Sequence, residues 1–177
     1  MGRASKAKGS SWERDVCRRL SLWVTGGELE DVFWRSSMSG GRATTHRKRG
    51  KRTADAAAGD ICAIRPEGKP FLDVFFVECK ATRNLMLEAY LTDTITGNRE
   101  DHWLKPCRQA AEHGKAPLVI LKRNRLPPVV FARPDSFFGM GQDGITPRRI
   151  GHFPKHSLCV YDLTDLLLSL DPAEVHR

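Results

Sequence analysis

Two charged residues interrupt an apolar stretch, FFVECKAT, at positions 75–82. The run that starts at Phe75 is typical of a buried β-strand, yet Glu78 and Lys80 follow within it, two positions apart. Because side chains alternate between the two faces of a strand, this carboxylate and this ammonium project on the same side. Such a pair could be only an ion pair at a solvated strand end, or it could be part of a catalytic site.

A second acidic residue, Asp60, begins the preceding strand-like run, DICAI. The following segment, RPEGKPFLD, holds two prolines and one glycine, so it predicts a loop between two strands. An antiparallel hairpin that pairs Ile64 with Val74 also brings Asp60 level with Glu78. We therefore expect Asp60, Glu78 and Lys80 to meet at one end of a sheet.

Two carboxylates and one ammonium form the set that divalent-metal hydrolysis of a phosphodiester bond requires. Carboxylate oxygens hold Mg²⁺, which polarises a phosphoryl oxygen and acidifies a bound water. Under this hypothesis Asp60 and Glu78 bind the metal, Lys80 stabilises or orients the attacking water, and the backbone carbonyl of Cys79 adds an oxygen ligand. The apolar residues of the same strand then form the rigid sheet that holds these groups in position.

The order of elements along the chain predicts the sheet that would carry this site. An amphipathic helix begins at an N-cap, Ser10, and ends near Gly26; its stripe through Trp12 and Trp23 predicts core packing rather than base stacking. Strands are expected at 32–36, 60–64, 74–80 and 117–123, a helix after Pro106, and in the tail two strand-like runs, PPVVFA and LCVY, before a short helix at 162–170. This order predicts an α/β fold with a mixed β-sheet covered by helices.

The net charge of +8 is concentrated in the first third of the chain. Residues 1–59 contain 13 Lys and Arg against 6 Asp and Glu, whereas the remaining residues contain 16 against 15. A one-sided basic surplus favours a polyanion such as nucleic acid, although a basic segment can also be a solubilising or targeting element. Within a basic loop at 39–59, the candidates for contacts to a DNA backbone are Arg42, Arg47, Lys48, Arg49, Lys51 and Arg52.

Cysteine content and hydropathy help to predict the cellular compartment of the protein. The five cysteines are an odd number without a CxxC pair, which favours a reducing environment over a disulfide framework. No run approaches the roughly 18 apolar residues of a membrane helix, and the N-terminal residues lack the apolar core of a signal peptide. We therefore expect an intracellular protein, cytoplasmic or nucleoid-associated, with no membrane partner.

Four segments in a fixed order resemble the PD-(D/E)xK nuclease superfamily, and most closely the archaeal-type Holliday-junction resolvases. They are KGSSWERDVCRRL with Glu13, WRSSMSGG with Arg35 and Ser39, GDICAI with Asp60, and VECKAT with Glu78 and Lys80. The resemblance covers about residues 8–123, and the four-part order is more specific than any one part. It indicates a nuclease core at 1–123, with residues 124–177 as a C-terminal extension packed on the same domain.

The resemblance implies a restriction-endonuclease-like fold and a role for each matched residue. Asp60 and Glu78 would bind metal, Glu13 would complete the metal site, Lys80 would assist the attacking water, and Ser39 would lie near the scissile phosphate. The cofactor would be Mg²⁺, with Mn²⁺ able to substitute. The enzyme would act as a homodimer on branched DNA, in recombination and repair.

Several alternatives stay open at this point. Glu13 could close a capping box with Ser10, and Ser39 could be only a small loop residue. Arg35 could bind a phosphate or pair with an acidic residue such as Glu28 or Glu30. The substrate could be other DNA, as for related nucleases of restriction, repair or packaging type, or the chain could be a non-catalytic DNA-binding protein of the same fold.

Overall fold

The computed structural model describes residues 3–36, 59–82, 102–142 and 146–176, together with residues 87, 90 and 92. Helices in these ranges are α1 (Arg3–Val24), α2 (Lys69–Val74), α3 (Leu104–Glu112) and α4 (Leu163–Ser169). Strands are β1 (Phe33–Arg35), β2 (Ile61–Ala63), β3 (Phe75–Thr82), β4 (Ala116–Arg123), β5 (Val129–Ala132), β6 (Arg149–Phe153) and β7 (Leu158–Asp162). Short 3₁₀ turns occupy Pro66–Gly68, Pro154–His156 and Pro172–His176.

The main sheet has five strands in the order β3-β4-β5-β7-β6. β3 and β4 are parallel and in register, with Glu78 opposite Val119, and α3 lies in the connection between them. The remaining pairs are antiparallel, so the sheet is mixed and residues 124–177 supply three of its strands. The predicted α/β fold, a mixed sheet covered by helices, is confirmed.

Helices cover both faces of this sheet. On one face α1 packs Trp12, Val16 and Leu20 against Phe75 and Val77, within the larger core cluster. On the other face a second cluster contains Trp103, Phe131 and Val119, and Phe76 packs against Ala110 of α3. Alternation along β3 therefore places Phe75, Val77 and Cys79 on the α1 face, with Glu78 and Lys80 on the α3 face.

The tryptophans of α1 pack in the core or against it, as predicted. Trp12 is 2% exposed and donates an indole hydrogen bond to the Ile120 carbonyl at 3.2 Å. Trp23 packs edge-to-face on Phe71, with 5.7 Å between the ring centroids. None of the helices in the described ranges is long and apolar enough to cross a membrane.

The start of α1 differs from the expectation. The helix begins at Arg3, so Ser10 lies inside it and the predicted N-cap at Ser10 is wrong. The capping-box alternative for Glu13 fails with it, because a residue three positions past Ser10 lies far from any helix terminus here. The residues before Ser10, RASKAKG, contain Ala, Lys and Arg, whose helix propensity is sufficient to continue the helix backwards.

The predicted hairpin between residues 60–64 and 74–80 is also wrong. β2 pairs with β1 instead, antiparallel, with Trp34 opposite Cys62, as a separate two-stranded ribbon. The presumed loop contains the 3₁₀ turn at Pro66–Gly68 and then α2, which buries Phe71 on its way to β3. Among the described residues, one isolated backbone bridge, parallel in sense, connects the start of the ribbon to β3, between Gly59 and Val77.

Candidate active site

Asp60 is fastened to the edge of β3 by two hydrogen bonds. Its backbone N–H donates to the Val77 carbonyl at 2.9 Å, and its Oδ2 accepts from the backbone N–H of Cys79 at 2.8 Å. Ile61, the next residue, is fully buried in the core under α1 and anchors the strand from the other side. The expected neighbourhood of Asp60 and Glu78 is therefore present, although it arises through a parallel bridge rather than a hairpin register.

Gly59 permits this close approach. Its φ is +95°, and a Cβ at this position would lie 2.5 Å from the Val77 carbonyl oxygen. An L side chain would therefore suffer both backbone strain and an overlap with β3. This requirement for glycine was not predicted from the sequence. The signal for it was the Gly-Asp pair immediately before a short apolar strand.

Glu78 and Lys80 form an ion pair on the α3 face of β3. The Lys80 ammonium donates to Glu78 Oε1, and the Glu78 side chain is the more buried of the two, at 13% exposed against 36%. The pair that the sequence placed on one face therefore exists. It is not a fully solvated pair, because the Glu78 carboxylate is mostly buried and lies near Asp60.

The backbone of Cys79 faces the same edge as Asp60. A residue's N–H and C=O lie on the same side of an extended strand, and the Cys79 N–H points to the Asp60 carboxylate. The Cys79 carbonyl therefore faces this edge too, on the side of β3 away from β4. Its side chain is buried in the core, and burial raises the pKa of the thiol well above its usual range, so sulfur stays protonated.

The carboxyl group of Asp60 has a strongly displaced pKa. Desolvation by burial, followed by repulsion from the Glu78 carboxylate, raises this pKa from 3.8 to about 7. The hydrogen bond from Cys79 and the positive charge of Lys80 lower it, but by less, and the charge of Glu13 adds a small increase. Burial and the neighbouring Glu78 carboxylate thus both disfavour the charged form of Asp60.

Lys80 remains protonated at this site. Burial lowers its pKa, but the charge of Glu78 and the hydrogen bond to it outweigh the burial, so the pKa lies above its usual value. A protonated ammonium donates hydrogen bonds and stabilises negative charge, whereas it cannot accept a proton from water. The expected assistance to a nucleophile is therefore electrostatic and orienting.

Glu13 reaches the region from α1 and pairs with Arg35 of β1. The Arg35 Nε donates to Glu13 Oε2, and the Glu13 side chain is 15% exposed. Of the two acidic residues considered as alternative partners of Arg35, Glu30 pairs with Arg18 instead. Ser39 and the six basic residues expected to contact DNA, Arg42, Arg47, Lys48, Arg49, Lys51 and Arg52, lie outside the described residues.

The described side chains offer two carboxylates rather than a closed metal cage. Within the described ranges, no three His, Cys, Asp or Glu side chains are grouped so that they could hold a metal ion. Mg²⁺ commonly binds through one or two carboxylates and completes its shell with water and substrate phosphate oxygens. Asp60 and Glu78, with the Cys79 carbonyl beside them, fit that requirement, and a dication would relieve the repulsion that raises the Asp60 pKa.

A comparison with protein-family models shows to which family the chain belongs. The model described as "Phage putative PDDEXK endonuclease" matches residues 4–142 of the 177. The chain belongs to this family. Comparisons with curated proteins and with solved structures found no match. The matched region contains α1, the ribbon, β3 and β4, and so every element that carries a residue of the site.

Membership supports the broader part of the sequence interpretation. The chain is a member of the PD-(D/E)xK superfamily, its family is one of nucleases, and DNA is the substrate that such a family implies. Nucleases of this superfamily typically use divalent metal ions, which agrees with the donor set at Asp60 and Glu78. The closer likeness to archaeal-type Holliday-junction resolvases remains a resemblance of motifs.

Proposed function

We propose that the protein is an endodeoxyribonuclease that depends on a divalent metal, and that Asp60, Glu78 and the Cys79 carbonyl hold the metal. The observation that carries this proposal is the pair of buried carboxylates at the β3 edge. Burial, and after it the neighbouring Glu78 carboxylate, raise the Asp60 pKa to about 7, and the Lys80 ammonium donates to Glu78 beside it. A dication bound at these carboxylates would offset the repulsion between them.

The remaining residues have distinct roles in this proposal. When bound, the metal would polarise the scissile phosphoryl oxygen and acidify a water ligand. The protonated Lys80 orients the attacking water and stabilises negative charge on the phosphoryl group. Glu13 holds Arg35, whose guanidinium can bind a neighbouring phosphate.

For the finer substrate class, we propose DNA with a branch, cut by a homodimer in the presence of Mg²⁺ or Mn²⁺. Two features support this proposal: the order of the four motifs, and the basic segment between β1 and β2, which carries six Lys and Arg and two Asp. Phosphate contacts by themselves carry no information on branching, so the choice rests on the motif resemblance. Ser39 belongs to the same segment and would lie close to the cut phosphate.

A panel of matched substrates tests the proposal. A labelled four-way junction and a linear duplex of the same arms would be incubated with the wild type, in Mg²⁺ or in EDTA. The proposal expects cutting in Mg²⁺ alone and a faster rate on the junction. Equal rates would remove the preference for branched DNA while retaining the nuclease, whereas binding without cutting would indicate a non-catalytic DNA-binding protein.

A further inference from the structure

The β1–β2 ribbon carries an exposed apolar pair on one face. Trp34 is 53% exposed and Ile64 is 56% exposed, although both lie in or beside strands. Trp34 lies opposite Cys62, and Ile64 is two positions beyond Cys62, so all three share a face. The opposite face is covered, because Phe33 and Ile61 are buried in the core that contains α1.

This exposed face is continuous with the active site. Asp60 immediately precedes β2, and its carbonyl accepts a hydrogen bond of 2.8 Å from the Ser36 N–H, which continues the pairing with β1. Two positions before Cys62, it therefore shares the face with Trp34. Cross-strand diagonal neighbours of this kind lie about 7–8 Å apart. On β3 the residues turned away from α1 are Glu78 and Lys80, so the face of Trp34 corresponds to the face of the catalytic pair.

We propose that Trp34 stacks on an unpaired base next to the cleaved phosphate, with Ile64 extending the apolar surface. This inference rests on the proposed function and names the structural feature in the substrate that the site selects. In a fully paired duplex the base faces are occupied by their neighbours, whereas an unpaired base offers a free face to an aromatic ring. The substrate class would be branched or bulged DNA.

Charge and area both favour nucleic acid as the occupant of this face. The segment that joins β1 to β2 carries six Lys and Arg against two Asp, so its positive charge attracts a polyanion toward the same ribbon. A second copy of the chain would need about 800 Å² per partner for a standard interface, which two side chains cannot provide. Arg35, next to Trp34, faces α1 and is held by Glu13.

The test compares cleavage of two substrates by three proteins. The substrates are a fully paired duplex and the same duplex with a short unpaired bulge, and the proteins are the wild type, Trp34→Ala and Trp34→Phe. The ratio of kcat/KM on the bulged to the paired substrate should fall by about fivefold or more in Trp34→Ala, the low end for one base stacked on an aromatic ring. Trp34→Phe, which keeps a ring, should retain most of the wild-type ratio.

Phe138→Ala is the matched control. Phe138 is 91% exposed, and its neighbour Phe137 contacts Phe75 at the end of β3 opposite to Glu78. Removing this exposed ring should leave the ratio at the wild-type value. A second readout uses the Asp60→Asn background and 2-aminopurine in the bulge: its fluorescence should be quenched on binding, and Trp34→Ala should abolish the quenching.

The other possible results contradict either the proposed function or the stacking inference. A wild type that cuts neither substrate contradicts the proposed function itself. A wild type that cuts, with an unchanged ratio and unchanged quenching in Trp34→Ala, contradicts the stacking inference alone. Equal losses on both substrates, together with a shift from dimer to monomer in sedimentation, would also overturn it and identify a second copy as the occupant of the Trp34 face.

Discussion

The Oδ2 atom of Asp60 accepts a hydrogen bond of 2.8 Å from the backbone N–H of Cys79. This bond joins the β1–β2 ribbon to the central sheet next to the strand positions of Glu78 and Lys80. It also directs one oxygen of the carboxylate to the backbone, and no described residue donates a hydrogen bond to the other. The arrangement explains how residues that are far apart in the chain meet without sharing a hairpin.

The first prediction concerns Gly59. Replacing Gly59 by Ala should lower kcat/KM by about tenfold or more, because a Cβ overlaps the Val77 carbonyl and displaces Asp60 from β3. Gly27 is the matched control, because its φ of +96° is nearly the same as that of Gly59 and an alanine there would suffer the same backbone strain. No atom lies within 4 Å of a Cβ added at Gly27, so that alanine would overlap nothing. Gly27→Ala should lose some thermal stability and keep its activity. Equal activity losses in the two variants would contradict the proposed role of Gly59.

The second prediction concerns pH. The Asp60 carboxyl has a pKa of about 7 in the folded protein and 3.8 as its ordinary value, so between these values the folded state keeps a proton that the unfolded chain has lost. The free energy of unfolding of the metal-free protein should therefore fall as pH rises through this window. Asp60→Asn removes the titrating group. In EDTA, its Tm should match the wild type near about pH 4 and exceed it increasingly toward about pH 8.

Adding Mg²⁺ at the upper end of this window completes the pH experiment. The wild-type Tm should rise, because a ligand that binds only the folded state stabilises it, and the Tm of Asp60→Asn should rise much less. A Tm difference between the two proteins that stays constant with pH would show that Asp60 does not carry the displaced pKa.

The third prediction concerns the charge of Lys80. Lys80→Met keeps the length of the side chain and removes the ammonium, so kcat should fall by about 100-fold or more. Lys69→Met is the control, because Lys69 pairs with Asp73 at 2.5 Å and both side chains are well exposed. That variant should keep the wild-type rate. A Lys80→Met enzyme with a normal rate would show that the ammonium takes no part in the reaction.

The fourth prediction concerns the pair between Glu13 and Arg35. Arg35→Gln should destabilise the fold by about 1–3 kcal/mol, because it leaves a mostly buried Glu13 carboxylate without its partner. Adding Glu13→Gln should recover part of that loss, and urea unfolding of the double-mutant cycle measures the coupling. The exposed pair of Arg65 and Asp31 provides the comparison, and its cycle should show a smaller coupling. Equal coupling energies would contradict the argument from burial.

The positions of Glu78 and Lys80 were predictable because the alternation of side chains along a strand depends only on neighbouring residues. An apolar run with a charge at every second position indicates which residues share a face, and β3 has this form. The mixed sheet covered by helices followed from the order of elements in the same way. The shared face of Glu78 and Lys80 could therefore be read from the sequence.

The secondary structure between Asp60 and Glu78 could not be predicted from strand alternation. The segment FLDVFFV is apolar enough for a helix or a strand, and its first part is helical in α2 while the rest is β3. That boundary depends on burial of Phe71 and Leu72 in the core, which only the folded chain defines. The N-terminus of α1 was missed for a related reason, because the N-cap signal at Ser10 is overridden by helix propensity before it.

The central claim is that Asp60 and Glu78 hold a catalytic metal at the edge of β3. Cleavage of DNA by the wild type and by Glu78→Gln, in Mg²⁺ and in EDTA, tests it most directly, with circular dichroism to confirm that the variant is folded. The account predicts cleavage by the wild type in Mg²⁺, none in EDTA, and a loss of about 100-fold or more in folded Glu78→Gln. Metal-dependent cleavage by Glu78→Gln at the wild-type rate would contradict it.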